Sequence, residues 1–177
     1  RGLLRKWADH AEKYEPVYSQ MAAVRCLEQQ IESSSVRINT HYANSTAVRL
    51  GCIYAKHYVW CNRGVNGIEG SLSTAAGFAV ASDDLNVCII GDLSFFYDQN
   101  ALWNSCVGGN LRILLLNNSC GGIFKQLPNL HKSPVADNGA RHLREEQCGI
   151  HIGAQRRRNE TRNKRTSNTQ GQSPCAA

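Results

Sequence analysis

Val87-Cys88-Ile89-Ile90-Gly91-Asp92-Leu93-Ser94 and, further along, Ile113-Leu114-Leu115-Leu116-Asn117-Asn118 decide the fold of this chain. Each stretch opens on a short uninterrupted apolar run and stops abruptly at polar residues. Runs of that kind read as buried strands. Asp92 therefore stands at the end of one strand and a carboxamide pair at the end of another. In parallel sheets ligands gather at the carboxyl ends of strands.

Reading outward from these two strands gives an alternation. Met21, Val24, Leu27 and Ile31 recur at helical spacing, so a helix is expected over Tyr18 to Ile31 with Ser19 as its N-cap. Val36 to Tyr42 alternates like a strand. Ser45 is placed to cap a helix from Thr46 to about Ala55, and His57 to Cys61 reads as a second short strand. Asn62-Arg63-Gly64-Val65-Asn66-Gly67 has the composition of a tight turn. Glu69 to Ala81 is expected as a small-residue helix that packs close to a sheet. A further helix is expected over about Asp98 to Cys106, before the strand Leu111 to Leu116. Strands alternating with helices predict an α/β fold, a parallel sheet flanked by helices.

Composition sets the limits. The 177 residues, 42% of them hydrophobic, suffice for one domain with a full core. No apolar stretch reaches the roughly 18 residues a membrane-spanning helix needs. The eight cysteines, at 26, 52, 61, 88, 106, 120, 148 and 175, are scattered singly without a CxxC pair. They read as reduced thiols of a cytoplasmic protein, with neither a zinc site nor a disulfide framework. The net charge of +6 is uneven: residues 1–130 hold eleven Lys/Arg against ten Asp/Glu, and residues 131–177 hold nine against four. Beyond about Leu130 the chain has no Phe, Trp or Tyr, and its Arg156-Arg157-Arg158 run leads into polar residues with little to bury. That tail is expected to be disordered. A solvated tail and a nucleic-acid-binding tail both fit its charge, although no aromatic stacking residues are interleaved. The chain opens without Met, at Arg1. Three regions are expected: a linker over 1–17, an α/β domain over 18–130, and the basic tail over 131–177.

Asp92 has two readings on residue chemistry alone. It is a helix N-cap at a strand end, or a hard oxygen ligand for a divalent cation such as Mg²⁺, which keeps sites for water and phosphate oxygens. The Asn117-Asn118 pair one strand–helix–strand unit later supports the second reading. So does the loop Ser119-Cys120-Gly121-Gly122, whose backbone can approach a phosphate closely. Arg49 and Arg63 are surface ion-pair residues or carboxylate grips. Asn44 is a turn residue or a substrate contact, and Ser45 a cap or a substrate contact. His10, His41 and His57 have no partners at ligand spacing and read as structural or surface residues.

Together these residues resemble the diphosphate-binding domain of thiamine diphosphate enzymes, whose signature is Gly-Asp-Gly, a spacer, and Asn-Asn. Here Leu93 replaces the second Gly. That departure is similar to one branch, the family of 2-succinyl-5-enolpyruvyl-6-hydroxy-3-cyclohexene-1-carboxylate synthases of menaquinone biosynthesis. Gly91-Asp92-Leu93-Ser94, Asn117-Asn118, Gly121-Gly122-Ile123-Phe124 and Leu127-Pro128 resemble its blocks. So do Asn62 to Gly70, Ser73 to Gly77, and Asn44-Ser45 with Arg49. The resemblance covers about residues 15–130.

The resemblance implies the following roles. Asp92, the Asn118 side chain and the carbonyl of Cys120 bind Mg²⁺ or Mn²⁺. Gly91, Leu93, Ser94 and Gly121 line the diphosphate. Ile68 supports thiamine diphosphate in its bent shape, with Ile123 and Phe124 as pocket walls. Asn44, Ser45, Arg49 and Arg63 contact the carboxylate-bearing substrates. The family's reaction decarboxylates 2-oxoglutarate and adds the resulting carbanion to isochorismate. The carboxylate that activates the cofactor lies in an N-terminal pyrimidine-binding domain of a second subunit, in a homodimer or tetramer. Glu69 is not that residue, so no catalytic residue is assigned. The chain is thus expected to be a C-terminal fragment with half a site, inactive alone, whose tail from about Asn138 resembles nothing in the family. Another thiamine diphosphate enzyme, a decarboxylase or an acetolactate-type synthase, is the nearest alternative; a non-catalytic protein that binds nucleic acid through its tail is the other.

Overall fold

The computed structural model describes residues 2–64, 67–119 and 121–122. Two opening helices, α1 (Gly2–Lys13) and α2 (Gln20–Glu32), precede a strict alternation. It runs β1 (Ile38–Tyr42), α3 (Thr46–Tyr54), β2 (Val59–Trp60), α4 (Ser71–Val80), β3 (Leu85–Gly91), α5 (Asp92–Asp98) and β4 (Leu111–Leu116), with a 3-10 turn over Gln99–Trp103. The four strands are all parallel, in the order β2-β1-β3-β4. The expected α/β architecture is the observed one.

The order fixes where the helices lie. From β1 the chain steps outward to β2, then crosses back over β1 to reach β3. Right-handed crossovers in opposite directions place α3 on one face of the sheet and α4 and α5 on the other. α2 packs beside α3, and α5 and the 3-10 turn pack beside α4. With helices on both faces, β3 is buried from Asn86 to Ile90, which is why its apolar residues run on without alternation. Val24, Tyr42, Leu72, Cys88, Ile89 and Ile90 form the center of the core. On α2, Val24 enters this core and Met21 and Leu27 pack against it, as their spacing predicts. The Ser19 hydroxyl accepts from the Ala22 N–H at 3.2 Å and caps the helix.

Several local expectations change. The opening segment, expected as a linker, carries α1, which Lys56 ties down through Glu12 at 3.1 Å. The helix expected over about Asp98 to Cys106 begins instead at Asp92 and tightens into the 3-10 turn after Asp98. The Asp98 carboxylate accepts from the backbone N–H of Ser73 at 2.7 Å and from its hydroxyl at 2.9 Å, so it caps α4 rather than starting a helix of its own. Cys26, Cys52, Cys61 and Cys88 are free thiols, with Cys88 fully buried and its pKa pushed up to about 12 by burial. Cys106 is disulfide-bonded, which departs from the reading of all eight cysteines as reduced. The tail over 131–177 lies outside the described residues. No described helix is long and apolar enough to cross a membrane.

Candidate functional site at the carboxyl edge of the sheet

Four segments leave the carboxyl edge side by side: the loops Cys61–Arg63 after β2, Ala43–Ser45 after β1 and Asn117–Ser119 after β4, and the first turn of α5, Asp92–Ser94, after β3. Between β1 and β3 the crossovers diverge, which opens a crevice in sheets of this kind. Asn44, Ser45, Arg49, Arg63, Ile68, Gly91, Asp92, Leu93, Ser94, Asn118 and Gly121 all lie on these segments or on those that lead directly to or from them. Cys120, Ile123 and Phe124, also expected at the site, lie outside the described residues, as do Val65 and Asn66. The two non-glycine residues with positive φ among the described residues are Ser45 (φ 72°) and Ser119 (φ 56°). Both follow a strand tip at this edge. Such conformations are costly and concentrate where ligands bind.

Asp92 is the center of the edge. It sits in the first turn of α5, only 4% exposed. Oδ1 accepts from the Leu93 N–H at 2.9 Å. Oδ2 is buried without a hydrogen-bond partner among the described residues. Burial raises the pKa, and the backbone N–H groups of Leu93, Ser119 and Asn118, which face the carboxyl, oppose that rise. The carboxyl of one strand tip thus points at the Asn-Ser turn of the next. A buried carboxylate oxygen with unspent lone pairs is costly by itself and fits a hard cation. Among the described residues no group of three or more His, Cys, Asp or Glu side chains could hold a metal. A cation here would take one carboxylate, neutral oxygens, water and phosphate, which is the usual Mg²⁺ pattern.

The carboxamide pair divides its work. The Asn117 side chain accepts from the Ser119 N–H at 2.9 Å, which folds the turn and holds Ser119 in its left-handed conformation. Asn118 is exposed, and its amide lies 3.5 Å from where a Cβ on Gly122 would sit. On the neighboring segment, the buried Ser94 hydroxyl donates to the carbonyl of Ile68. This bond joins two residues expected to touch the same cofactor and sets the loop before α4 against the first turn of α5. The Gln20 side chain donates to the Leu116 carbonyl at 3.2 Å, so the N-terminus of α2 braces the tip of β4.

On the β1 side, Ser45 makes no side-chain capping bond to α3. Arg49 and Arg63 are exposed, and neither joins an ion pair among the described residues. The Asn44 amide, buried, donates to the carbonyls of Asn62 at 3.0 Å and Gly67 at 2.7 Å. Its oxygen accepts from Arg63 Nη1 at 3.5 Å. Asn62, not singled out from sequence, donates to the Gly70 carbonyl at 3.1 Å and the Thr74 hydroxyl at 2.8 Å. The turn composition around it was the available signal. His41, on β1, is buried with Nε2 unpartnered among the described residues; burial lowers its pKa and a hydrogen bond to the Asn62 side chain opposes this. His57, expected as a structural or surface residue without a partner at ligand spacing, has its Nε2 2.8 Å from the buried Glu28 carboxylate, which also accepts from the Tyr42 hydroxyl.

No family model matches the chain. Curated relatives do. A 2-succinyl-5-enolpyruvyl-6-hydroxy-3-cyclohexene-1-carboxylate synthase of Bacteroides fragilis is 51% identical over 135 residues, covering 73% of this chain and 24% of the relative. Proteins of the same name from Phocaeicola vulgatus and Christiangramia forsetii are 60% identical over 96 residues (52% of this chain, 17% of the relative) and 46% identical over 118 residues (63% and 19%). The chain spans about a quarter or less of the length of the curated relatives it matches. Over those stretches it is a homologue of the 2-succinyl-5-enolpyruvyl-6-hydroxy-3-cyclohexene-1-carboxylate synthases.

Proposed function

We infer that this chain is the diphosphate- and metal-binding part of a thiamine diphosphate-dependent synthase of menaquinone biosynthesis. The observation that carries the reading is the buried, unpartnered Oδ2 of Asp92, set against the Asn118–Ser119 turn at the carboxyl edge. Asp92 and Asn118, with the carbonyl of Cys120, would hold Mg²⁺ or Mn²⁺. Gly91, Leu93, Ser94 and Gly121 would line the diphosphate, and Ile68 would support the rest of the cofactor. When bound, thiamine diphosphate supplies an electron sink for decarboxylation of a 2-oxo acid.

The chain's own residues then bind and orient. Arg49 and Arg63, exposed and without a carboxylate partner among the described residues, would pair with carboxylates of 2-oxoglutarate and isochorismate. Ser45, strained after the tip of β1, lies at the same carboxyl edge as Asp92 after the tip of β3. The whole enzyme would join the succinyl remnant of 2-oxoglutarate to the isochorismate ring. The carboxylate that activates the cofactor would come from a pyrimidine-binding domain of a second subunit, so the 177-residue chain is expected to bind but not to turn over.

Calorimetric titration of the chain with thiamine diphosphate and Mg²⁺, beside Asp92→Ala, tests this reading. Binding by the parent that the substitution abolishes supports it. Binding that survives Asp92→Ala removes it.

A further inference from the structure

A carboxamide offers two N–H donors and one oxygen with two acceptor directions. In Asn44 all of this is spent inside the protein. Both donors go to loop carbonyls, of Asn62 at 3.0 Å and Gly67 at 2.7 Å. The oxygen takes Arg63 Nη1 at 3.5 Å and faces the Cys61 thiol at 3.9 Å. Asn62 is held in turn by the first turn of α4, through the Gly70 carbonyl and Thr74 hydroxyl. The segment that carries Arg63 is therefore strung between the tip of β1 and the start of α4, with the Asn44 amide as its internal post.

We propose that Asn44 is a positioning residue: it holds the loop after β2 and the Arg63 guanidinium in place, and it acts on a carboxylate ligand only through Arg63. An exposed Arg left to itself samples many rotamers, and ordering it on binding costs free energy. An acceptor beneath the guanidinium lowers that cost before the ligand arrives. That Arg63 grips a substrate carboxylate rests on the function proposed above; that Asn44 orders Arg63 does not.

The test uses the whole 177-residue chain labeled with ¹⁵N. The Arg63 Nε–Hε signal is assigned by its loss in Arg63→Lys, and its heteronuclear NOE reports the order of the side chain. The parent is expected to give a value near that of the backbone. Asn44→Ala is expected to drop it to the value of a mobile side chain. Asn44→Leu, which preserves the size of the residue and removes both the donors and the acceptor, is expected to drop it likewise, and serves alone should Asn44→Ala fail to fold. An Arg63 signal equally ordered in Asn44→Ala, or in Asn44→Leu, overturns the proposal.

Titration with 2-oxoglutarate then separates the two claims. Asn44→Ala is expected to weaken binding as much as Arg63→Ala does, about tenfold, with no further loss in the double variant. Asn44→Leu is expected to weaken it to the same extent. Losses that multiply in the double variant show direct contact by Asn44 and overturn the proposal. If the parent and Arg63→Ala bind 2-oxoglutarate equally, or not at all, the assigned role of Arg63 falls, while the NOE comparison still decides the role of Asn44.

Discussion

Gly91 and Leu116 pair across β3 and β4, and this one register places the residues that follow them, Asp92 and Asn117, at the same height on the carboxyl edge. A slip of one residue would turn the Asn118–Ser119 N–H groups away from the Asp92 carboxyl. The arrangement does not stabilize the ionized carboxyl, because burial is what dominates the environment of Asp92 and raises its pKa. For an acid whose folded pKa is raised, the stability it contributes is present in full below its ordinary value, 3.8, and is lost as pH rises through the raised value. Asp92→Asn is therefore expected to stabilize the cofactor-free chain at pH 7 by about 1 kcal/mol, or about 3 °C in Tm. On the proposed cofactor role, thiamine diphosphate with Mg²⁺ is expected to raise the Tm of the parent and not that of the variant. Thermal melts with and without both ligands check this; a variant less stable than the parent in their absence contradicts it.

His41 gives the opposite pH dependence. Burial lowers its pKa from 6.5, only partly offset by its hydrogen bond with Asn62, so charging it in the folded state is unfavorable. Its contribution to stability is intact above pH 6.5 and is lost as pH falls below that value toward the lowered pKa. The difference in Tm between pH 7.5 and pH 5.5 is expected to shrink in His41→Gln. An undiminished difference assigns the acid sensitivity to other groups.

Glu28 is 5% exposed and accepts from two elements, Tyr42 on β1 and His57 just before β2. Removing the shared acceptor of a buried polar cluster leaves its donors unpaired. Glu28→Ala is expected to cost about 3 kcal/mol, or about 10 °C in Tm. Tyr42→Phe, which removes a single donor, is expected to cost about 1 kcal/mol. Urea unfolding measures both, and equal losses from the two substitutions would mean that His57 contributes nothing to the cluster.

Gly51 lies under the Tyr42 ring. A Cβ built there would stand 3.1 Å from two ring carbons. Ala at a helix interior is normally worth up to about 1 kcal/mol over Gly. Here the ring cannot yield, because it is fully buried and its hydroxyl is held by Glu28. Gly51→Ala is expected to destabilize by about 1 kcal/mol. The partner substitution Tyr42→Leu should erase that penalty in a double-mutant cycle; additive effects would show that the ring is not the obstacle.

What the sequence reveals and what it conceals follow from the range of the interactions. Val87–Ile90 and Ile113–Leu116 are legible as strands because apolar continuity is a local property, and Asp92 and Asn117 are legible as strand tips for the same reason. The start of α5 at Asp92 is not, since Gly91-Asp92 terminates a strand equally well, and only the capture of Asp98 by Ser73 shows which end of the helix that Asp occupies. Glu28 shares the helical spacing of Val24 and Ile31, yet nothing local shows that Tyr42 and His57 meet it there. The bonds from Asn44 to Asn62 and Gly67 cross 18 and 23 positions, so no window of sequence contains both partners. Composition likewise does not single out Cys106 among eight scattered cysteines.

The order β2-β1-β3-β4 also governs how the molecule is made. Its two innermost strands are strangers along the chain: Asn39 meets Asn86 across 47 positions. A small β1–α3–β2 unit can gather early, yet the middle of the sheet waits until α4 has carried the backbone over it. Until that moment the carboxyl tips of β1 and β3 are separate objects, and the crevice between them is among the last features to exist when the chain leaves the ribosome.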